Sequence, residues 1–216
     1  ENIFETLRPK SIDEIVCNKE TKVKLTRILN SPSNYRAYLL SGPSGIGKTS
    51  FARMFANTVG AKSTDLIELN CSDTRGIDFA RELLNIMASK AFLSQSKVII
   101  LDEAHGLTSQ AQNTLLKGIE NLPKDNYVII CSTNPDGLLT TITTRCYHVD
   151  FVPDLTDKSF LQSLEQLFET IKTKRVIEID RNKFDINKII NIFVDKYSPE
   201  TFSIRNFITY CDNILD

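Results

Sequence analysis

An α/β fold, with a parallel sheet flanked by helices and a small three-helix unit after it, is what the 216-residue sequence predicts. Three observations predict it. Short β-rich runs alternate with helical patterns between about residues 36 and 151. One run leads straight into Gly42-Pro43-Ser44-Gly45-Ile46-Gly47-Lys48-Thr49, a complete G-x-x-x-x-G-K-[ST] pattern, and a helical pattern follows it. After Pro153 the β-rich runs stop and helical periodicity takes over.

The β-rich runs lie at 37–40, 66–69, 98–101, 127–131 and 147–151. Several are almost wholly apolar, which is how strands covered on both faces of a parallel sheet read. Helical patterns occupy residues near 48–60, 76–92 and 108–121, and strand–helix alternation argues for a three-layer domain. Beyond the sheet, Phe160, Leu164, Phe168 and Ile171 form one helical stripe. Ile186, Ile189, Ile190 and Phe193 form a second, and Phe202, Phe207, Ile208 and Cys211 a third. The expected domains are therefore 1–153 and a lid-like helical 154–216, with the boundary within 151–155. There is no internal repeat and no low-complexity stretch.

Composition bounds the function without naming it. A hydrophobic share of 41% and a charged share of 25% are ordinary for a globular chain. No apolar run approaches the roughly 20 residues that span a bilayer, so no membrane role is expected. The five cysteines are scattered, no Cys-x-x-Cys occurs, and the histidines number two. That pattern speaks against a zinc site or a disulfide framework and for a reducing, cytoplasmic compartment. The formal net charge of -1 means that nucleic-acid contact has to come from a local patch or from several subunits together. The chain opens on Glu1 rather than Met, as expected of a fragment or a processed form.

The chemistry is concentrated in two motifs. In the phosphate-loop pattern the glycines let the backbone curl until its N–H groups face phosphate oxygens at a helix N-terminus. Lys48 is expected to reach the β- and γ-phosphates and Thr49 to hold Mg²⁺, which makes ATP and Mg²⁺ the expected cofactors. The second motif is the apolar run at 98–101 ending in Asp102 and Glu103. A carboxylate at the tip of a buried strand can hold the Mg²⁺ shell, and the next can polarise the attacking water. By itself an acidic pair after a strand is also a common exposed turn; the upstream loop gives it meaning.

These motifs sit among further blocks that resemble a known family. The segment Leu69-Asn70-Cys71-Ser72-Asp73-Thr74-Arg75-Gly76-Ile77-Asp78 is similar to a block of replication factor C small subunits. Arg8-Pro9-Lys10 resembles their N-terminal Arg-Pro motif, and Thr144-Arg145-Cys146 their Ser-Arg-Cys. Residues 113–120 look closer to bacterial clamp loaders, and the compact lid is similar to that of phage clamp-loader large subunits. The resemblance implies an AAA+ P-loop NTPase fold, ATP hydrolysis, and a subunit of a sliding-clamp loader that opens a ring-shaped polymerase clamp at primer–template DNA during replication. Its expected partners are other loader subunits in a hetero-oligomer (a pentamer), the clamp and the DNA. Its location would be the cytoplasm, the nucleus in a eukaryote, or the host cytoplasm for a phage.

The resemblance also implies roles residue by residue. Residues Phe4, Glu5, Thr6, Leu7, Arg8 and Pro9, with Val16, would wrap the adenine, and Gly45, Ile46, Gly47, Lys48, Thr49 and Ser50 would hold the phosphates. Asn134 would be the polar sensor near the γ-phosphate, and Arg205 would reach that phosphate from the lid. Arg145 would enter the neighbouring subunit's site, where a planar cation offsets γ-phosphoryl charge. Read without the family, Arg145 and Arg205 are surface ion-pair partners. Asn70 matches a residue that restrains the catalytic glutamate, and Gln112 one that links the DNA face to the ATP site. DNA would meet Ser72, Thr74, Arg75 and Arg81 on one helix start and Thr108 and Ser109 on another; the alternative for Arg75 and Arg81 is a solvated helix face. Departures from the family are Leu7 for a Tyr, Thr144 for the Ser, and Leu116-Lys117 for Arg-Arg. The collar domain that follows in relatives is not expected within these residues.

The same residues admit other readings. Asp102-Glu103-Ala104-His105 spells the DEAH-box helicase signature, but those enzymes need two recombinase-like domains. A branch-migration motor or replication initiator is the nearer alternative, and a non-catalytic scaffold subunit is the alternative of another class.

Overall fold

The computed structural model describes residues 3–72, 77–174, 185–199 and 201–215. A short helix α1 (Ile3–Thr6) and a longer α2 (Lys19–Asn30) precede the sheet. Neither helix is announced by the apolar periodicity of the sequence. Asn18 starts α2 by accepting the Thr21 N–H at 2.8 Å, a helix cap of the usual kind. Its buried positions are only Thr21, Leu25 and Ile28, too sparse a stripe to stand out among charged neighbours.

The sheet core then follows: β1 (Ala37–Ser41), α3 (Lys48–Thr58), β2 (Leu66–Asn70), α4 (Ile77–Ala88), β3 (Lys97–Asp102), α5 (Ser109–Glu120), β4 (Asn126–Ser132), α6 (Thr140–Thr143) and β5 (Tyr147–Asp150). All pairings are parallel, in the order β2-β3-β4-β1-β5. Central strands β3 and β4 are buried along nearly their whole length, which explains their unbroken apolar runs. Because the strands are parallel, each connecting helix runs back across the sheet. The molecule therefore has a carboxyl edge, where β1, β3 and β4 end, and an amino edge, where they begin.

Two cores cover the two faces. One packs Phe51 and Phe55 of α3 against Tyr38, Ile100 and Ile129, and it is continuous with the C-terminal helices. The other packs Ala80, Leu83 and Met87 of α4 with Leu115 and Ile119 of α5 on Leu39, Ile99 and Val128. Helices α7 (Lys158–Lys174), α8 (Ile186–Lys196) and α9 (Ile204–Leu215) gather around Phe193. Its ring meets Phe202 and Phe207 edge-on at 5.7 and 5.1 Å, the arrangement that aromatic quadrupoles favour.

The link from α4 to β3 is pinned at the amino edge. Asp65 accepts the backbone N–H groups of Phe92, Leu93 and Ser94 at 2.6, 2.8 and 2.9 Å. Buried Lys97 and Asn126 cap the last carbonyls of α4, at Ile86, Met87 and Ser89. The result is a rigid loop that presents Phe92 and Leu93 to solvent, 83% and 61% exposed.

Those N–H bonds, Phe92's foremost, hold the Asp65 carboxyl down at about 2, against 3.8 for a free aspartate. Its stabilising contribution is thus complete above about pH 4 and lost as pH falls toward 2. We expect the stability gap between the parent and Asp65→Asn, read from urea midpoints, to narrow steadily from pH 5 to pH 2. A gap that stays constant over that interval would contradict the assignment.

Candidate functional site

The site is built where β1, β3 and β4 end. Beyond Ser41 the chain curls through Gly42–Gly47, and α3 begins at Lys48 with Gly47 as its cap at φ 112°. That left-handed value suits glycine and strains any residue with a Cβ. Gly45, at φ 71°, faces the lid: a Cβ there would sit 2.5 Å from Ser203 Oγ and 3.2 Å from Arg205 Cβ. Lys48 is 5% exposed, and its Nζ donates to the carbonyls of Gly42 and Pro43 at 2.7 and 2.8 Å. Burial pushes its pKa below the ordinary lysine value.

Thr49 Oγ1 donates to Asp102 Oδ2 at 2.9 Å, so hydroxyl and carboxylate stand side by side across α3 and β3. Hard oxygen donors of this kind suit Mg²⁺, which is typically held by one or two protein oxygens together with substrate phosphates. Glu103 follows at φ 52°, a left-handed conformation unusual for a side-chain-bearing residue and found at functional sites. The turn sends its carboxylate to Thr133, whose Oγ1 donates to Glu103 Oε2 at 2.9 Å. His105 Nδ1 lies 3.5 Å from the same oxygen and 3.0 Å from Ser132 Oγ, which also accepts the Asn134 N–H.

A cleft of about 600 Å³ opens over these groups, within the range of small-molecule sites. Its walls include Phe4, Glu5, Leu7, Arg8, Pro9 and Val16, the loop from Gly45 to Ser50, the pair Asp102 and Glu103, and Arg205. Leu167, Ile204 and Ile208 complete an apolar end beside Phe4 and Leu7. The Arg205 guanidinium stands 5.7 Å from the Phe4 ring centroid, which ties the lid to the N-terminal segment. Thr6 lies outside these walls; its carbonyl accepts the Lys174 ammonium, a second tie to the lid.

Other predicted residues lie elsewhere. Asn134 is not among the cleft walls, and the polar side chain that reaches Glu103 from the end of β4 is Thr133. Asn70 Oδ1 accepts the Ser72 N–H at 3.0 Å. Ser72 follows β2 at the carboxyl edge, and Arg81 is exposed on α4, 3.5 Å from Asp78. Thr74 and Arg75 lie outside the described residues. Thr108 caps α5 by accepting the Ala111 N–H, and Ser109 is the first residue of that helix. Arg145 precedes β5 and so stands at the amino edge, across the sheet from Lys48. It pairs with Glu120 at 2.8 Å.

Comparison with known proteins places this geometry. The family description of the DNA polymerase III delta subunit matches residues 72–154. The gamma/tau subunit of DNA polymerase III from Mycobacterium tuberculosis is 31% identical, over 69% of this chain and 30% of that protein. Replication factor C small subunit 2 of Pyrobaculum aerophilum is 33% identical, over 69% of this chain and 48% of that protein. By sequence, the chain belongs with the AAA+ clamp-loader subunits. It spans from under a third to about half of the length of those curated relatives. Among solved structures, the Thermotoga maritima RuvB branch-migration motor superposes with a TM-score of 0.64 at 16% identity. That match covers 96% of this chain and 72% of the other, and it shows the shared fold.

Seen as a clamp-loader relative, the chain carries site features that sequence reasoning passed over. Thr133 was masked by the neighbouring Asn134; both are polar, and only the turn at Glu103 decides which one meets the carboxylate. Arg53 and Glu68, a doubly hydrogen-bonded pair at 2.8 and 2.9 Å, also line the cleft. Glu68 lies on β2, where it interrupts the apolar run Leu66, Ile67 and Leu69, and that interruption is the available signal.

A buried ammonium at a helix start is suited to an anion. Lys48→Ala should weaken ATP binding by about 100-fold, since bonds to charged groups contribute roughly 1.5–3 kcal/mol each. Calorimetric titration with Mg-ATP checks it; near-parental affinity would remove Lys48 from the site.

Proposed function

We propose that this chain is an ATP-hydrolysing subunit of a sliding-clamp loader. The observation that carries the reading is a division across the sheet. The cleft at the carboxyl edge assembles Lys48, Thr49, Asp102 and Glu103, whereas Arg145 of the Thr-Arg-Cys block stands at the opposite edge. A subunit so built offers its own nucleotide site and lends a cation to a neighbour's. The alternative of a branch-migration motor rests on fold likeness alone.

In this reading Phe4 to Pro9 with Val16, Leu167, Ile204 and Ile208 enclose the base, and the 45–50 loop cradles the phosphates. Lys48 turns from the carbonyls of Gly42 and Pro43 to the β- and γ-phosphates, and Arg205 meets the γ-phosphate from the lid. Thr49 and Asp102 would hold Mg²⁺, which supplies charge neutralisation on the phosphates when bound. Glu103 accepts the proton of the attacking water as its oxygen closes on the γ-phosphorus, and ADP departs. Thr133 holds the Glu103 carboxylate, and Asn134 beside it is the polar sensor of the γ-phosphate that the family resemblance implies. Arg145 of one subunit stabilises the charge on the phosphoryl group bound by the next.

The starts of α4 and α5 lie at the carboxyl edge, so Ser72, Arg81, Thr108 and Ser109 can track template phosphates through N–H groups and cations; the family resemblance gives Thr74 and Arg75, outside the described residues, the same role. ATP binding then organises subunits and opens the clamp, DNA contact licenses hydrolysis, and loss of the γ-phosphate releases the ring.

Two measurements test this. Glu103→Gln should keep ATP affinity and slow turnover by about 10²–10⁴-fold, the usual worth of a general base; turnover at the parental rate would remove Glu103 from that role. In an assembled complex, Arg145→Ala chains mixed with Lys48→Ala chains should recover part of the lost activity, because some interfaces regain both groups. No recovery at any ratio would mean that Arg145 serves its own subunit.

A further inference from the structure

We propose that Glu120 is the positioning residue for Arg145, holding the guanidinium where a neighbouring subunit's γ-phosphoryl group can meet it. The inference rests on the reading of Arg145 given above and deepens it. Arg145 donates from one terminal nitrogen to the Thr141 carbonyl at 2.9 Å, and its other terminal nitrogen forms an ion pair with Glu120 Oε1 at 2.8 Å. The two contacts come from different elements, the α6 turn and the last residue of α5, and hold the guanidinium from two sides. Of its five N–H groups, those left over remain available to a phosphoryl oxygen.

Helix α5 governs more than the tip. Gln112 is buried, and its Nε2 donates to the carbonyls of Leu107 and Gly137 at 3.2 and 3.0 Å. Its Oε1 accepts the Leu139 N–H at 2.7 Å. The segment from Gly137 through α6 to Arg145 is thus tied to α5 at both ends, by Gln112 at its start and Glu120 at its finish. Twelve residues of helix span about 18 Å. One rigid element therefore joins Thr108 and Ser109 at the carboxyl edge to Arg145 at the amino edge.

Charge explains why a carboxylate suits this place. Both partners are about two-fifths exposed, and a pair of that kind is weak in water. It orients the cation without withholding it, so the more highly charged phosphoryl group of a docked neighbour can take it over. A neutral residue at 120 would leave Arg145 sampling many rotamers, and ordering it would then fall on the chemical step.

The test uses the full-length chain assembled with its native partner subunits and primed DNA. Glu120→Ala, Arg145→Ala and the double variant are compared for kcat and for the KM of ATP, with Glu120→Gln as a milder substitution of the same length. We expect Glu120→Ala to lower kcat about tenfold, within the range of coupling between touching residues, and to leave KM unchanged. Glu120→Gln should fall between it and the parent. In the Arg145→Ala background, Glu120→Ala should add nothing. Parental kcat in both Glu120 variants, with Arg145→Ala slow, would sink this proposal and leave the reading of Arg145 standing. Equal losses in both backgrounds would also overturn it, since Glu120 would then act on folding. Parental kcat in Arg145→Ala itself would remove the reading of Arg145, and this inference with it.

Discussion

Lys48 carries a buried positive charge at the start of α3, and much of the molecule is arranged around it. Taking an ammonium out of water is costly unless polar groups replace the water. Here the carbonyls of Gly42 and Pro43 do so, which requires the loop to fold back on itself and β1 to stop at Ser41. The curl in turn leaves Gly45 facing outward with no side chain, and Ser203 and Arg205 of the lid approach it closely. A phosphate chain would offer the ammonium better partners than two carbonyls do. The loop is therefore folded with its cation held by neutral carbonyls, and an anion would be a stronger partner for that cation.

The parallel sheet converts that local chemistry into a division of labour. Every strand ends at the carboxyl edge, so the groups that could act on a bound nucleotide gather there. Helices returning to the amino edge carry the Phe92–Leu93 loop, Glu120 and the approach to Arg145 away from it. In a ring or spiral of similar subunits, opposite edges of neighbouring chains would face each other. Helix α5 spans the two edges, and its polar anchors are Thr108, Gln112 and Glu120.

Much of this was legible in the sequence because it depends on periodicity and local pattern. The strands, α3, α4, α5 and the C-terminal helices fall where apolar spacing puts them, and the loop glycines and the Asp102–Glu103 pair announce themselves. What could not be read depends on contacts between distant residues. Thr133 meets Glu103 only because Glu103 adopts a left-handed turn. Asp65 looks like any surface acid until it is seen gathering three N–H groups some 27 residues away. Glu120 is one more acid at the end of a helix until Arg145 is brought to it. In each case the signal is an alignment in space that leaves no mark on spacing.

The central claim is that a competent ATP site needs two chains, one supplying Lys48 and Glu103 and the next supplying Arg145. ATP turnover per chain, measured for the full-length chain alone and after assembly with its partner subunits, clamp and primed DNA, addresses it directly. The account predicts that assembly raises turnover by about 10³-fold or more, the worth of an arginine supplied in trans. Equal turnover in the two states would contradict it, because the isolated chain would then hold every group the reaction needs.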